Sequence, residues 1–402
     1  MIAKKKAALG FIFLTLLLDV IGLGIIIPVV PELITELIDG NISQAASYGG
    51  WLTFAYAIMQ FIFSPFIGNL SDKYGRRPVL LLSLLGFGID YVFLALAPTI
   101  TWLFVGRIIA GITGASFTTA TAYIADISTQ EDRTKNFGMI GAAFGLGFII
   151  GPVIGGFLGE YGSRIPFIAA AILTFINLIY GYFVLPESLP VENRRPFDLA
   201  RANPLGAFKH LKKHPVVASL ALAFFLYYMA GQAVQSVWSY FGIERFQWSP
   251  AMIGLSLGMV GLLVGLVQGV LIRYINPIWG NIKSIYIGFA LYALGLLLFS
   301  FATEGWMMFV FLIPYCLGGI AGPALQSIIT SNVSSNEQGE LQGTLTSIIS
   351  ATSIVSPLLM TNLFYWFSKK DSGLYLPGAP FLMGTVFMIA ALVVVYKVLR
   401  KK

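Results

Sequence analysis

The sequence predicts an all-α membrane protein: twelve transmembrane helices in two pseudo-symmetric six-helix bundles. Composition comes first. The 402 residues are 57% hydrophobic and 11% charged, with a mean hydropathy of +0.82, whereas soluble domains carry about 25% charged residues. The second observation is recurrence. Apolar stretches fall at 8–29, 45–67, 79–97, 101–124, 136–159, 165–185, 216–240, 250–272, 283–302, 305–329, 341–367 and 379–397, each close to the 20 or so residues a membrane helix needs. The third is a polar interruption at 186–214, which separates six spans (1–185) from six more (215–402). A barrel of strands is excluded, because the runs are continuous rather than alternating apolar and polar.

The first span follows Lys4, Lys5 and Lys6 and so resembles a signal peptide. Asp19 interrupts it, the apolar run is too long, and no small-x-small cleavage site stands out, so a retained helix is expected. The second and third spans are joined by Gly68-Asn69-Leu70-Ser71-Asp72-Lys73-Tyr74-Gly75-Arg76-Arg77-Pro78, a density of charge and glycine that suits a tight turn at a membrane surface. Asp90 stands inside the third span and Arg107 inside the fourth. A charge at mid-helix costs about 2.5–3.5 kcal/mol on insertion scales, so Asp19, Asp90 and Arg107 each need a compensating reason. One reason is a structural ion pair. The other follows from the count, since one arginine cannot neutralise two aspartates and a desolvated carboxyl shifts toward its neutral form. Such a group can carry a proton through a conformational cycle, and the sequence does not choose between Asp19 and Asp90.

The fifth span carries Gly138, Gly147, Gly151, Pro152, Gly155 and Gly156. Gly147, Gly151 and Gly155 share one helix face, which permits close helix approach, and the proline adds a kink. The eighth span carries similar rows, Gly254-Gly258 and Gly261-Gly265-Gly269. One glycine face per half is expected to form a seam on which the halves rock. Between spans six and seven, Pro186, Pro190, Pro196 and Pro204 make an irregular linker, with a short surface helix expected from Pro204 to His214. The second half echoes the first: Gly111-Ile112-Thr113-Gly114 in span four has its counterpart in Gly319-Ile320-Ala321-Gly322 in span ten. Repeats of this kind flank a substrate site near the bilayer midplane. Candidate cavity residues are Gln60, Gln232, Gln235, Trp238, Gln268, Tyr292 and Gln326, a few polar groups in apolar surroundings that suit an amphipathic organic molecule.

Twenty of the 25 lysines and arginines lie at the termini and in one alternate set of links, against four in the other set and Arg107 within a span. The bias places both termini and the 186–214 linker in the cytoplasm. The net charge of +7 is thus a topology signal, and no nucleic-acid partner is implied. Cys316 is the sole cysteine, so a disulfide framework and a Cys–His nucleophile are both excluded. His210 and His214 stand at i, i+4 beside Lys209, Lys212 and Lys213 and read as a solvated basic face, so no metal is expected. No Gly-rich Lys-Ser/Thr loop is present to bind nucleotide. Neither a cofactor nor an obligate protein partner is expected; the partners are the lipid bilayer, protons and a small molecule.

Three motifs resemble those of one transporter family. Gly68-x-x-Ser71-Asp72-x-x-Gly75-Arg76-Arg77 matches the loop between helices two and three of major facilitator superfamily carriers. Arg107-x-x-x-Gly111 resembles that family's helix-four arginine motif, and Gly138-x8-Gly147-x3-Gly151-Pro152-x2-Gly155-Gly156 resembles the helix-five signature of its drug:proton antiporters. Over nearly its whole length the chain is similar to bacterial tetracycline:proton antiporters. That resemblance implies an inner-membrane exporter exchanging a drug for protons by alternating access, with Asp19, Asp90 and Arg107 as the coupling charges. It also implies cytoplasmic gate contacts made by Asp72 with Arg76 and Arg77, and by Asp126 with Arg133. A proton-coupled importer or facilitator of a metabolite would share the fold. The chain departs from the tetracycline exporters at Tyr292, near which they place an aspartate after a Gly-Phe pair, and at Val264, where some carry histidine.

Overall fold

The structure is a computed structural model and describes residues 2–114, 116–129, 132–197, 215–334, 337–369 and 373–400. His210, His214 and the surface helix expected from Pro204 lie outside the described residues. Fifteen α-helices make up the described chain: α1 (Ile2–Ile26), α2 (Val30–Ile38), α3 (Ile42–Tyr74), α4 (Arg76–Leu96), α5 (Ile100–Thr113), α6 (Ser116–Ile127), α7 (Arg133–Gly159), α8 (Ile165–Val184), α9 (Pro215–Phe246), α10 (Pro250–Leu266), α11 (Ile272–Ser300), α12 (Gly305–Leu317), α13 (Ala321–Ser331), α14 (Gln338–Phe367) and α15 (Ala379–Leu399).

Eleven helical stretches are long and apolar enough to cross a membrane, one fewer than the twelve expected. The difference lies at 250–300. A five-residue π-turn, Val267–Leu271, joins α10 to α11 without a loop, so 51 residues run on as one helical stretch. At 1.5 Å per residue that is about 76 Å, more than twice the hydrocarbon core. Gly280 breaks it, with φ 66° and ψ 171°, a conformation side chains other than hydrogen resist. Two crossings therefore share the stretch.

Spans four and ten are each built from two short helices. The first breaks after Thr113, at Gly114, and the other passes through a 3₁₀ turn at Gly318–Ile320. Both breaks fall on the glycine pairs that echo each other in the sequence. Glycine removes the side-chain obstacle to a tight neighbour there: a Cβ on Gly111 would stand 2.6 Å from the Tyr56 carbonyl oxygen, and one on Gly322 would stand 2.9 Å from the Tyr227 hydroxyl.

The chain forms two compact units: 1–40 with 55–204 and 249–258, and 41–54 with 205–248 and 259–402. In the first, α1 packs on α7 and α8, and α4 on α5 and α8. Its core gathers Phe11, Leu16, Leu80, Tyr123, Ile140 and Leu185, all buried. Gly147, Gly151 and Gly155 serve the α1–α7 contact. A Cβ at Gly147 or Gly151 would meet Val20 or the Ile21 carbonyl at 2.7 Å, and one at Gly155 would overlap the Ile25 backbone. These three glycines thus face α1, whose own backbone comes close at Gly24, while the expected meeting of spans five and eight falls on Gly156, Gly254 and Gly258, where a Cβ on Gly258 would stand 2.6 Å from Val153. Gly156 turns the other way, where its Cβ would stand 3.0 Å from Gly254 Cα of α10 in the same unit. Gly138 has open space around it.

In the second unit α9 packs on α14 and α15, and α11 on α12, α13 and α15. Segment 41–54 joins it through Ser43, whose hydroxyl lies 2.6 Å from that of Ser368, and through Ser47, which donates to Asn362 at 3.4 Å. Pro65, Pro152, Pro277, Pro314 and Pro357 all sit inside helices, as membrane spans tolerate where neighbours satisfy the freed carbonyl.

Candidate functional site

Four helices of the first unit bring the buried charges together. Asp90, on α4, is fully buried. Its Oδ1 accepts from Arg107 Nε at 3.2 Å and its Oδ2 from Arg107 Nη2, so α5 clamps α4 by a two-pronged ion pair. A Cβ on Gly106 would stand 2.7 Å from Asp90 Oδ1, so the residue before the arginine is kept small to let the carboxylate in. The Arg107 guanidinium also lies over the Tyr56 ring, 5.7 Å from its centre, a cation–π contact that stabilises a desolvated charge.

Asp19 is placed differently. It is only partly buried, and it lines a cavity of about 250 Å³ with Tyr56, Gln60, Tyr91, Phe144 and Thr174. Gln60 donates to the Tyr56 hydroxyl and to the Gly114 carbonyl, both at 3.0 Å. An amide side chain from α3 is thereby tied to the break between α5 and α6. Gly22 keeps α1 close to α4, since a Cβ there would stand 2.9 Å from the Tyr91 hydroxyl. Sequence reading missed Tyr56, Tyr91 and Gly106. Gly106, directly before a membrane arginine, was the available signal.

A second polar group forms where α3 meets α4. Arg76 Nη1 donates to Asp72 Oδ1 and to Ser71 Oγ, both at 2.6 Å, and its Nε donates to Asp126 Oδ2 at 3.1 Å. Arg77 Nη2 donates to the Tyr182 carbonyl at 2.6 Å. The Arg76 side chain is largely buried between the Asp72 and Asp126 carboxylates. The turn is set by Gly75 at φ 106°, and the Gly68 carbonyl accepts from Ser71 Oγ at 2.8 Å. The side chain of Arg133, the expected partner of Asp126, lies outside the described residues.

The major facilitator superfamily profile matches residues 12–357 and, in a second match, 220–402. The chain belongs to the major facilitator superfamily. Among relatives of this superfamily member, the class C tetracycline resistance protein of Escherichia coli is 44% identical over 371 residues, 92% of this chain and 93% of that one. The class G tetracycline resistance protein of Vibrio anguillarum is 40% identical over 355 residues, covering 86% and 88%. A crystal structure of the nucleoside transporter NupG superposes with a TM-score of 0.76 at 15% identity, covering 99% of this chain and all of that one, and shows the shared fold. This superfamily protein is a multi-pass membrane carrier, similar over most of its length to tetracycline resistance proteins.

The expected cavity residues of the second unit divide. Trp238 is buried, with its ring against those of Trp248, Phe299 and Phe381, and so belongs to the packed core. An indole of that size fills the space between α9, α11 and α15. Tyr292 is buried too, its hydroxyl donating to that of Tyr315 at 3.0 Å. Gln232 donates to Ser353 Oγ at 3.2 Å and Gln326 to Gln342 Oε1 at 3.2 Å, contacts that tie helix to helix. Gln235 and Gln268 are exposed, Gln268 within the π-turn.

Proposed function

We propose that this protein exports a tetracycline-like amphipathic drug in exchange for protons, with Asp19 as the proton carrier and the Asp90–Arg107 pair as a fixed structural and electrostatic support. The observation that carries this reading is the contrast between the carboxylates: Asp90 is sealed and doubly bonded to Arg107, while Asp19 faces a cavity. A proton carrier has to exchange with water in part of its cycle, and Asp19, partly buried on a cavity wall, is better placed for that than the fully buried Asp90. The identity to tetracycline resistance proteins over most of the chain supports the cargo class. In this reading 1–185 and 215–402 are the two bundles, joined by 186–214, with both termini in the cytoplasm of a bacterium and the Arg76 cluster as the inner gate.

Tyr292 and Val264 favour a further distinction. Where the tetracycline exporters carry ionisable groups in the second half, this chain has a tyrosine pair, Tyr292 with Tyr315. A neutral aromatic wall does not hold a divalent metal, so the drug is expected to travel without relying on a chelated ion.

The test is proton-driven uptake of tetracycline into inverted membrane vesicles from a host without its own pumps, with and without magnesium. Uptake that collapses with the proton gradient and persists in a metal chelator is the expected result. Absence of uptake with tetracycline and with a panel of amphipathic drugs refutes the proposal.

A further inference from the structure

The segment leaving α8 lies across the Arg76 cluster and is bonded to it at several points. Leu185 and Leu189 are buried on either side of Pro186-Glu187-Ser188. The Pro186 carbonyl accepts from the Tyr123 hydroxyl at 2.8 Å. Glu187 Oε1 accepts from the backbone N–H of Arg76 at 2.8 Å, and Oε2 from that of Arg77 at 3.2 Å. Oε1 also accepts from the N–H groups of Ser188 and Leu189, both at 3.0 Å. Ser188 Oγ donates to Asp126 Oδ2 at 3.0 Å, the same oxygen that accepts from Arg76 Nε. Further along, the Arg195 N–H donates to the Asp72 carbonyl at 3.1 Å, and the Phe197 ring lies 6.4 Å from that of Phe66.

The physical need is clear at the start of α4. Its N-cap position is Gly75, which has no side chain to satisfy the first N–H groups of the helix. A carboxylate is the best remote substitute, being both acceptor and counter-charge to the helix dipole. Gly75 in turn makes room, because a Cβ there would collide with the Glu187 carboxylate. The glycine and the glutamate are two halves of one cap. That cap fixes the backbone from which Arg76 reaches Asp72 and Asp126.

We infer that Glu187, aided by Ser188, is a positioning residue of the inner gate: it caps α4 from outside the motif, holds Arg76 and Asp126 in register, and ties the start of the 186–214 linker to the state of the gate. Opening the gate moves the first turn of α4 against Glu187, so the linker is released as Arg76 leaves Asp126. The inference rests on reading 68–78 as a gate, and it adds a participant from outside α3, α4 and α6, the helices that carry Asp72, Arg76 and Asp126.

The test has two arms on the full chain. In the first, tetracycline uptake into inverted vesicles is compared for Glu187→Ala, Glu187→Gln, Arg76→Ala and the double variant. Loss of a cap is worth about five-fold, so Glu187→Ala is expected to lower the maximal rate about five-fold with KM within about two-fold. Glu187→Gln, which keeps one acceptor, falls between it and the parent. The double variant is expected to be no worse than Arg76→Ala alone, as for two groups acting through one contact. Independent, multiplying losses overturn the inference. Glu192→Gln, which removes an exposed linker charge without touching the cluster, leaves the rate unchanged. The second arm needs no transport: hydrogen exchange is followed by mass spectrometry on the purified protein. Arg76→Ala is expected to speed exchange at Ser188 and Leu189 about five-fold, and Glu187→Ala to do the same at Arg76 and Arg77. If Arg76→Ala leaves the linker amides unchanged, the coupling does not exist. Should the parent fail to move tetracycline, the cargo proposal falls while this arm still decides the role of Glu187.

Discussion

Replacing Asp90 by asparagine isolates the buried ion pair from the rest of the site. The substitution keeps the side chain's size and one oxygen but leaves the Arg107 guanidinium without its counter-charge, in a place where Asp90 is fully buried. Removing one partner from a buried pair costs about 3–5 kcal/mol, chiefly for the charge left behind. The first unit holds about 200 residues. At an unfolding entropy of about 2.1 cal/mol/K per residue, that loss lowers its midpoint by about 7–12 °C. The assay is thermal unfolding of purified protein in a mild detergent, followed by tryptophan fluorescence. Adding Arg107→Gln removes the orphaned charge and is expected to return more than half of the lost midpoint. If Asp90→Asn melts with the parent, or the second substitution makes matters worse, then the pair is not the support described above, and Asp90 returns as a candidate proton carrier.

Asp19→Asn is expected to fold and melt within about 2 °C of the parent, as typical of a side chain away from the packed core, yet to lose gradient-driven export. Measurement of proton release on drug exchange in proteoliposomes checks this, and full coupling in the variant contradicts the assignment. Gly155→Val would drive two methyl groups into the Ile25 backbone. Overpacking costs about 1–3 kcal/mol or more, so a sharp fall in monodisperse yield on size-exclusion chromatography is expected, with Gly138→Val, which meets open space, as the tolerated control. Outside the spans, the Glu32 carboxyl is raised above its ordinary value of 4.5 by burial first and then by Glu36 and Glu160. Its contribution to stability is therefore present below about pH 4.5 and lost as pH rises through the raised value. Glu32→Gln is expected to flatten the melting profile across that window, and an unchanged profile contradicts it.

The spans and the charged loop at 68–78 were legible because hydropathy and charge are local signals. Asp19, Asp90 and Arg107 were visible as charges inside apolar spans. What could not be read was which carboxylate the arginine would take. That choice depends on Gly106 admitting Asp90 and on Tyr56 coming from α3, contacts between residues far apart in the chain. The glycine row of α7 was recognised as a close-contact face, but its partner was not, since α1 advertises the contact only through Gly24. Trp238 looked like a cavity residue because an indole among glutamines is ambiguous; its neighbours Phe299 and Phe381 come from helices that sequence spacing does not bring together. The π-turn at Val267–Leu271 leaves no mark in composition, and so spans eight and nine looked separable where the backbone runs on.

Gly75 and Glu187 also constrain what this chain can become. Arg76 and Glu187 are 111 residues apart, yet the glycine beside that arginine cannot gain a side chain while the carboxylate occupies the same space. Nor can the carboxylate be dropped without exposing a helix end that the glycine does not cap. Each single step away from the pair is a loss, so descendants are expected to keep both or to change both. A mutational scan of the motif carried out with Glu187 fixed would thus report an intolerance at position 75 that belongs in part to another stretch of the chain.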